Sequence, residues 1–514
     1  MPCITGTWKA CSEIRSFYIN NYDLTGPRTC EVMDSSALAF RKFNIFNWPG
    51  FRDIRFWIIL FFVIRLYGIS LPPLETSQNW RQTTVCMAAR NFYETDPDIF
   101  YPRLDIAGEK SGITGMEFPV FNYLIYLVSL LFGYDHWYGR LINLIVSSIG
   151  VYYFFLLVRK YFSSPTAFYS AFVLIFSLWF AYSRKIMPDT FSASLMIMGL
   201  FYGTNFLDRK SSAKNLVLYF LFSLIAILSK LPSGYALVII APFIFDRKIP
   251  IINKITISIT TIVIIVPVYV YYFYWVPHLV EKFGFWHFFM GKGIVQGFYE
   301  LIDQIDRTLV NFYEEALKYA GFIMFLWGLF IAIRRKECRI LISLGLLFAA
   351  FAVIMLKAGW TFCNHAYYMI PFIPAMALVA GYGLSKIHQK SILYIFLVAI
   401  AVEGILNQKQ DFYLHENNKA LLNLESELDS ISRPDDLVLI NSGTYPTPMY
   451  FAHRKGWIDY NENIAKGDYI DDLRSKGLKY IVILKRTFGN DITLPYKIKF
   501  RNRDYTIYAV PDGP

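Results

Sequence analysis

The sequence predicts an α-helical polytopic membrane protein with about eleven transmembrane helices and a small C-terminal α/β domain on the extracytoplasmic side. Three observations predict it. The composition is too apolar for a soluble chain: 55% hydrophobic, 18% aromatic and only 17% charged across 514 residues, against about 25% charged in soluble domains. Apolar runs of membrane-spanning length recur along most of the chain. After about residue 407 the composition turns abruptly polar.

The net charge of +11 and mean hydropathy of +0.36 fit Lys and Arg in cytoplasmic loops rather than a nucleic-acid surface. No dense basic run with interleaved aromatics occurs, so no nucleic-acid partner is expected. Cys3, Cys11, Cys30, Cys86, Cys338 and Cys363 form no CxxC pair and read as scattered and reduced.

Residues 1–55 lack a long apolar signal-peptide core and read as a cytoplasmic tail, with the first span as an uncleaved anchor. The catalytic unit is expected over 56–406. Its candidate spans are 56–72, 138–158, 165–183, 189–207, 215–229, 233–246, 253–275, 320–333, 338–356, 366–384 and 391–406. The run 118–133 is also apolar. Excluding it places the basic loops at Arg159-Lys160, Arg209-Lys210, Arg247-Lys248, Arg334-Arg335-Lys336 and Lys386 on the side of the basic N-terminal tail. It is therefore read as an interfacial or re-entrant helix within an outer-face loop, 73–137. Residues 407–514 read as alternating helices and strands, with strands at 437–440, 480–484 and a pair near 496–510.

The candidate chemistry gathers at span ends on one expected side. Lys230 lies in Leu228-Ser229-Lys230-Leu231-Pro232, and Arg184-Lys185 precede Pro188-Asp189. Cations in tight loops between apolar spans lie at headgroup depth, where they pair with phosphate or simply snorkel. Glu75 follows the first span, Glu117 opens Glu117-Phe118-Pro119, and Asp189 opens the fourth span. A carboxylate at such a boundary is partly desolvated, which suits a general base. The plainer reading of Asp189 is a helix cap, and of Glu75 an ordinary loop acid. His365 is a candidate for a metal or a phosphate, or for an interfacial aromatic belt with Tyr367 and Tyr368.

The segments Asn79-Trp80-Arg81-Gln82-Thr83-Thr84, Ala89-Arg90-Asn91-Phe92-Tyr93-Glu94 and Tyr101-Pro102-Arg103 resemble the first extracytoplasmic loop of GT-C glycosyltransferases. So do Glu117-Phe118-Pro119, Gly139-Arg140-Leu141, Arg184 through Thr190, Leu228-Ser229-Lys230 and His365 through Pro374. The nearest group comprises dolichyl- or undecaprenyl-phosphate sugar transferases, among them protein O-mannosyltransferases and the lipid A aminoarabinose transferase. The resemblance spans roughly 55–405 in motif order. It implies inverting transfer from a polyprenyl-phosphate-linked sugar to a lipid, glycan or protein acceptor, at the outer face of a bacterial inner membrane. Carried over, the first-loop acid maps to Glu75, the later one to Asp189, the acid before proline to Glu117 and the phosphate-contacting lysine to Lys230. The family's Asp-Glu pair is replaced here by Arg81 and Gln82, so Asp105 competes with Glu75 as the base. Donor-phosphate contacts are expected from Lys230, Arg184, Lys185, His365 and Arg81, and a divalent metal, if one takes part, from Glu117 and His365.

The rival classes are a transporter or flippase of lipid-linked glycans, and a ligase or polymerase of such glycans. Transporters usually carry internal repeats and mid-membrane charges, whereas here only Arg65 lies well inside a span. The basic-loop pattern generates a topological prediction. Reporter fusions after residue 410 are expected to report an extracytoplasmic location; a cytoplasmic signal there would reverse the sidedness of Glu75 and Asp189.

Overall fold

The computed structural model describes residues 49–75, 77–208, 212–287 and 291–511. Most of the expected N-terminal tail and the Arg209-Lys210 loop lie outside the described residues. The main helices are α1 (Ile54–Arg65), α2 (Asn79–Glu94), α3 (Val120–Phe132), α4 (Trp137–Tyr161), α5 (Ser164–Phe176), α6 (Pro188–Leu207), α7 (Ala213–Ser229), α8 (Ile251–Val270), α9 (Lys318–Arg334), α10 (Cys338–Ala358), α11 (Ile373–Ser385) and α12 (Lys390–Leu406). The chain is a multi-pass membrane protein. By length and composition alone, Trp137–Tyr161, Ile251–Phe283 and Cys338–Ala358 qualify as spans, with two further bent pairs.

Several expected spans are broken for identifiable reasons. The run 165–183 stops at Phe176, where the Ser177 hydroxyl donates to Leu174 O and accepts from Trp179 N. The run 233–246 begins as a 3₁₀ helix, Leu231–Ile240, because Pro232 lacks a backbone donor. The run 366–384 becomes regular only at Ile373, after Pro371 and before Pro374. The 13 residues of α3 rise about 20 Å, short of the roughly 30 Å apolar core of a bilayer. Its tip, Leu130-Leu131-Phe132, is exposed.

The central helix is α6, buried nearly all round from Pro188 to Leu200. Small residues permit its close packing: a Cβ on Gly150 of α4 would lie 2.4 Å from Ser194 Cβ. At the other extreme α8 continues through a π-helical turn, Tyr271–Trp275, into Val276–Phe283. This 33-residue helix extends about 50 Å and outruns the bilayer core.

Beyond α12 the chain folds into a five-stranded sheet of order β2-β1-β3-β5-β4. Its strands are β1 (Leu437–Ile440), β2 (Gly456–Ile458), β3 (Leu478–Leu484), β4 (Lys497–Arg501) and β5 (Tyr505–Ala509). The first three are parallel and the last two antiparallel. The sequence reading places no strand at β2, whose three residues are too short to show a period. The sheet domain docks on the 73–137 loop. Arg90 Nη1 of α2 donates to Tyr450 O at 3.1 Å, and its guanidinium lies 4.7 Å from the Tyr450 ring centroid. Thr447 Oγ1 donates to Asn79 Oδ1 at 3.0 Å. Val438, Ile440 and Met449 share one apolar cluster with Val85, Met87 and Phe121.

The packing generates a stability prediction. A Cβ on Gly381 of α11 would lie 2.3 Å from Ser170 N and 2.5 Å from Ser170 Cα on α5. Gly381→Ala should force these helices apart and cost about 1–3 kcal/mol. The check is thermal unfolding in detergent, with Gly345→Ala as the control, since nothing lies within 4 Å of a Cβ there. Equal melting temperatures for the two variants would refute the packing.

Candidate active site

The site forms where two loops are stitched together. α7 ends at Ser229 because Leu231-Pro232 cannot continue it. Leu228 O then accepts from both Phe118 N, at 3.1 Å, and the Tyr272 hydroxyl, at 2.7 Å. Tyr271 donates to Met116 O at 3.1 Å. The π-helical turn of α8 thus fixes both sides of Glu117 and brings it beside Lys230. Asn122 Nδ2 donates to Val85 O at 2.9 Å and ties α3 to α2, which carries Arg81.

The result is a buried four-charge cluster. Arg81 Nη2 and Lys230 Nζ both donate to Glu117 Oε1, the latter at 3.0 Å. Lys230 Nζ also lies 3.5 Å from Asp189 Oδ1. Asp189 is 3% exposed, and its Oδ2 is buried without a hydrogen-bond partner, as is Arg81 Nε. Tyr367 places its ring centroid 5.4 Å from the Lys230 ammonium. Burial alone would raise the Glu117 carboxyl, but Arg81 and Lys230 overrule it and hold it at about 2. Burial likewise works against the Lys230 cation, but Asp189 and Glu117 keep it above its usual value.

The cluster unites four expected residues: Asp189, Lys230, Arg81 and Glu117. His365 stands close by, stacked on Tyr367 at 5.3 Å and tilted against Trp80 at 5.7 Å between ring centroids. Burial, then the Lys230 and Arg81 cations, push its pKa down.

The remaining expected residues lie in other networks. Glu75 forms a separate buried pair: Arg140 Nη2 is 2.5 Å from Oε1, and Gln82 Nε2 donates to Oε2 at 3.1 Å. The turn after α1 folds this acid inward between α4 and α2, whose Arg140 and Gln82 each take one of its oxygens. Asp105 accepts from Arg90 at 2.9 Å and Asn91 at 2.8 Å beneath the sheet domain. Arg184 donates to Gly68 O and Asp411 O, and Lys185 to Asp411 Oδ1 and Ser77 O. These two cations fasten the α5–α6 turn to the chain after α12.

The arrangement does not suit the expected metal. Glu117 Oε1 is taken by two cations, and the charges acting on His365 are cationic. No group of three His, Cys, Asp or Glu suited to a metal occurs among the described residues.

Sequence reading missed four contributors. Asn143 Nδ2 donates to the carbonyls of Tyr182, Lys185 and Met187, and its Oδ1 accepts from Thr190, which shapes the turn that presents Asp189. Tyr271 and Tyr272 read simply as part of an apolar span. His287, pushed down to about 4 by burial and the Arg81 cation, lies in a long loop with no motif to mark it.

A family model described as dolichyl-phosphate-mannose-protein mannosyltransferase matches residues 117–275, which include Glu117, Asp189 and Lys230. The fold is similar to ArnT from Cupriavidus metallidurans bound to undecaprenyl phosphate, with 13% identity, a TM-score of 0.56, and 89% of this chain and 99% of that chain covered. In its apo state that protein gives 13% identity and a TM-score of 0.57, over 90% of this chain and 99% of that one. The oligosaccharyltransferase of Archaeoglobus fulgidus in complex with Zn and sulfate is similar at 16% identity and a TM-score of 0.53, over 83% of this chain and 67% of that one. No curated protein matches the sequence.

The buried Glu75–Arg140 pair makes a prediction. Arg140→Met should cost about 3–5 kcal/mol by leaving Glu75 buried and unpaired. Glu75→Gln in the same chain should recover much of it. Burial would raise Glu75, yet Arg140 and then Lys185 hold it below the usual carboxylate range. In the parent protein its contribution is therefore present above the unfolded pKa and is lost as pH falls through the folded one. In Arg140→Met the sign reverses, and acidification should stabilise. Melting temperatures across pH in detergent check both, and a Glu75→Gln change that fails to rescue would contradict the pairing.

Proposed function

We propose that this chain, a GT-C fold protein, transfers a sugar from a polyprenyl-phosphate donor to an acceptor hydroxyl at the outer membrane face. The observation that carries the reading is Asp189: a buried carboxylate with one oxygen beside Lys230 and the other without a partner. A general base needs such an open acceptor lone pair within reach of the incoming hydroxyl. Lys230 and Arg81 supply positive charge for the departing phosphate, and both already stand in desolvated positions. Glu117 holds the two cations together against their mutual repulsion. The reaction requires no nucleophile on the protein, since an inverting displacement passes through no covalent intermediate.

A second feature supports a lipid-linked donor. An apolar groove lined by Met196, Ile197, Leu200, Ala236, Ile239 and Leu378 reaches Ser233, three residues from Lys230. A polyprenyl chain lying there would place its phosphate near the Lys230 ammonium. The bound undecaprenyl phosphate of the ArnT structure makes this lipid the natural probe. No step is routed through a metal. In this reading the base is Asp189; Glu75 and Asp105 act through the structure.

Asp189→Asn should lower turnover at least about a hundredfold, the scale of removing a general base, with undecaprenyl phosphate affinity nearly unchanged. Lys230→Ala should mainly weaken that affinity, because a phosphate contact already exists in the ground state. The measurements are transfer from radiolabelled polyprenyl-phosphate sugars in membranes and lipid binding by the purified protein. Full transfer by Asp189→Asn would rule out this base. Undiminished transfer by both variants would remove the glycosyltransferase reading.

A further inference from the structure

A second cavity, of about 450 Å³, is lined mainly by polar side chains. Its walls come from the start of α2 (Ser77, Gln78), the segment 307–318, Asn364 and Ala366, and the segment 407–411 that leads into the sheet domain. Its volume falls within the range of about 300–1,000 Å³ typical of small-molecule sites. Ala366 lines it, and the next residue, Tyr367, carries the ring that faces Lys230. Gln78 lines it three residues before Arg81.

Three backbone irregularities converge on its wall. Gln78 has φ +64° and Lys318 has φ +60°, left-handed values that side-chain-bearing residues rarely adopt. Between Asn311 and Ala316 the chain forms a π-helix, a form concentrated at functional sites. Such strain persists only where the surroundings enforce it, and it accumulates at ligand clamps. Gln78 Oε1 is also buried without a hydrogen-bond partner, although Asn tolerates this backbone as well and has a shorter amide.

The chemistry of the wall specifies the ligand. Lys318 pairs with Glu315 at 3.2 Å, Lys185 with Asp411 at 2.7 Å, and Arg307 donates to Asn364 Oδ1. Arg307, Lys318 and adjoining Lys185 balance Glu314, Glu315 and Asp411, three charges against three. The wall therefore selects against net charge and for many hydrogen bonds. The side-chain amides of Gln78, Asn407 and Gln410 supply both donors and acceptors. We infer that this cavity is a pyranose subsite, which holds a neutral sugar ring next to the Asp189–Lys230 cluster. The inference rests on the proposed glycosyl transfer, and the ring could come from the donor or from the acceptor.

The test uses the full chain in nanodiscs and saturation-transfer NMR with methyl pyranosides of mannose, glucose and galactose. At least one should bind. Gln78→Asn retracts the amide on a backbone that Asn accepts, and Gln410→Trp fills the cavity from an exposed wall position. Each should weaken binding by at least about threefold, the scale of a lost hydrogen bond or more. Displacement by the undecaprenyl-phospho-hexose of the same sugar, but not by bare undecaprenyl phosphate, assigns the ring to the donor. Displacement by neither lipid assigns it to the acceptor. Absence of binding by all three glycosides, signals that survive in both variants, or displacement by the bare lipid would overturn the subsite. Bare undecaprenyl phosphate binding, measured in the same samples, reports on the transferase reading separately, so the two failures are distinguishable.

Discussion

Arg81, Glu117, Lys230 and Asp189 share a volume that water barely reaches, and their formal charges sum to zero. Removing charges from water costs several kcal/mol per ion even after relaxation. Such a group therefore persists only if every member faces an opposite charge. Glu117 is the hinge of this balance, because its Oε1 serves two cations at once. The hydrogen bonds that converge on Leu228 O and Met116 O exist to keep that oxygen where both cations reach it. An anion entering such a site would find both cations already out of water, which favours exchange of partners over insertion of an extra charge.

The membrane class and the sheet domain were legible in the sequence because they depend on composition and period, which are local. The alternation of polar and apolar segments after residue 407 needs no tertiary information, and neither does the shortness of the 118–133 run. Asp189, Lys230, Arg81 and Glu117 were also legible as candidates, since each lies at the edge of an apolar run or in a motif. Their mutual contacts were not. Glu75 and Asp189 look alike in sequence, both being acids at span ends. Only the fold decides that one meets Arg140 of α4 while the other keeps a free oxygen. Arg184 and Lys185 attracted attention as outer-face cations, but Asp411, 226 positions away from Lys185, claims them. No local pattern encodes a pairing at that separation. The broken spans were missed for a different reason: hydropathy windows do not register Pro232 or Pro371, whereas the backbone does.

The sheet domain is not a loose appendage. Its apolar residues complete a cluster begun by α2, α3 and α6, and Asp105 O and Gly108 N exchange hydrogen bonds with Gly456. The first loop is thereby clamped from above by the domain and from below by the charge cluster. Such double support gives a site that is set before substrate arrives, which is where electrostatic stabilisation is most effective.

One consequence follows from α2 alone. Arg81 engages Glu117 and Arg90 engages Tyr450 and Asp105. They are nine residues apart, which at 3.6 residues per turn is about two and a half turns, so they leave the helix on opposite sides. One residue gained or lost between them would swing one arginine by about 100° relative to the other. Apart from Gln82, whose amide bonds Glu75 and Ile186 N, substitutions along this stretch are tolerable wherever volume permits, but insertions and deletions are not. The length of 82–89 should therefore stay fixed through evolutionary drift even as its letters change, like the tooth count of a gear.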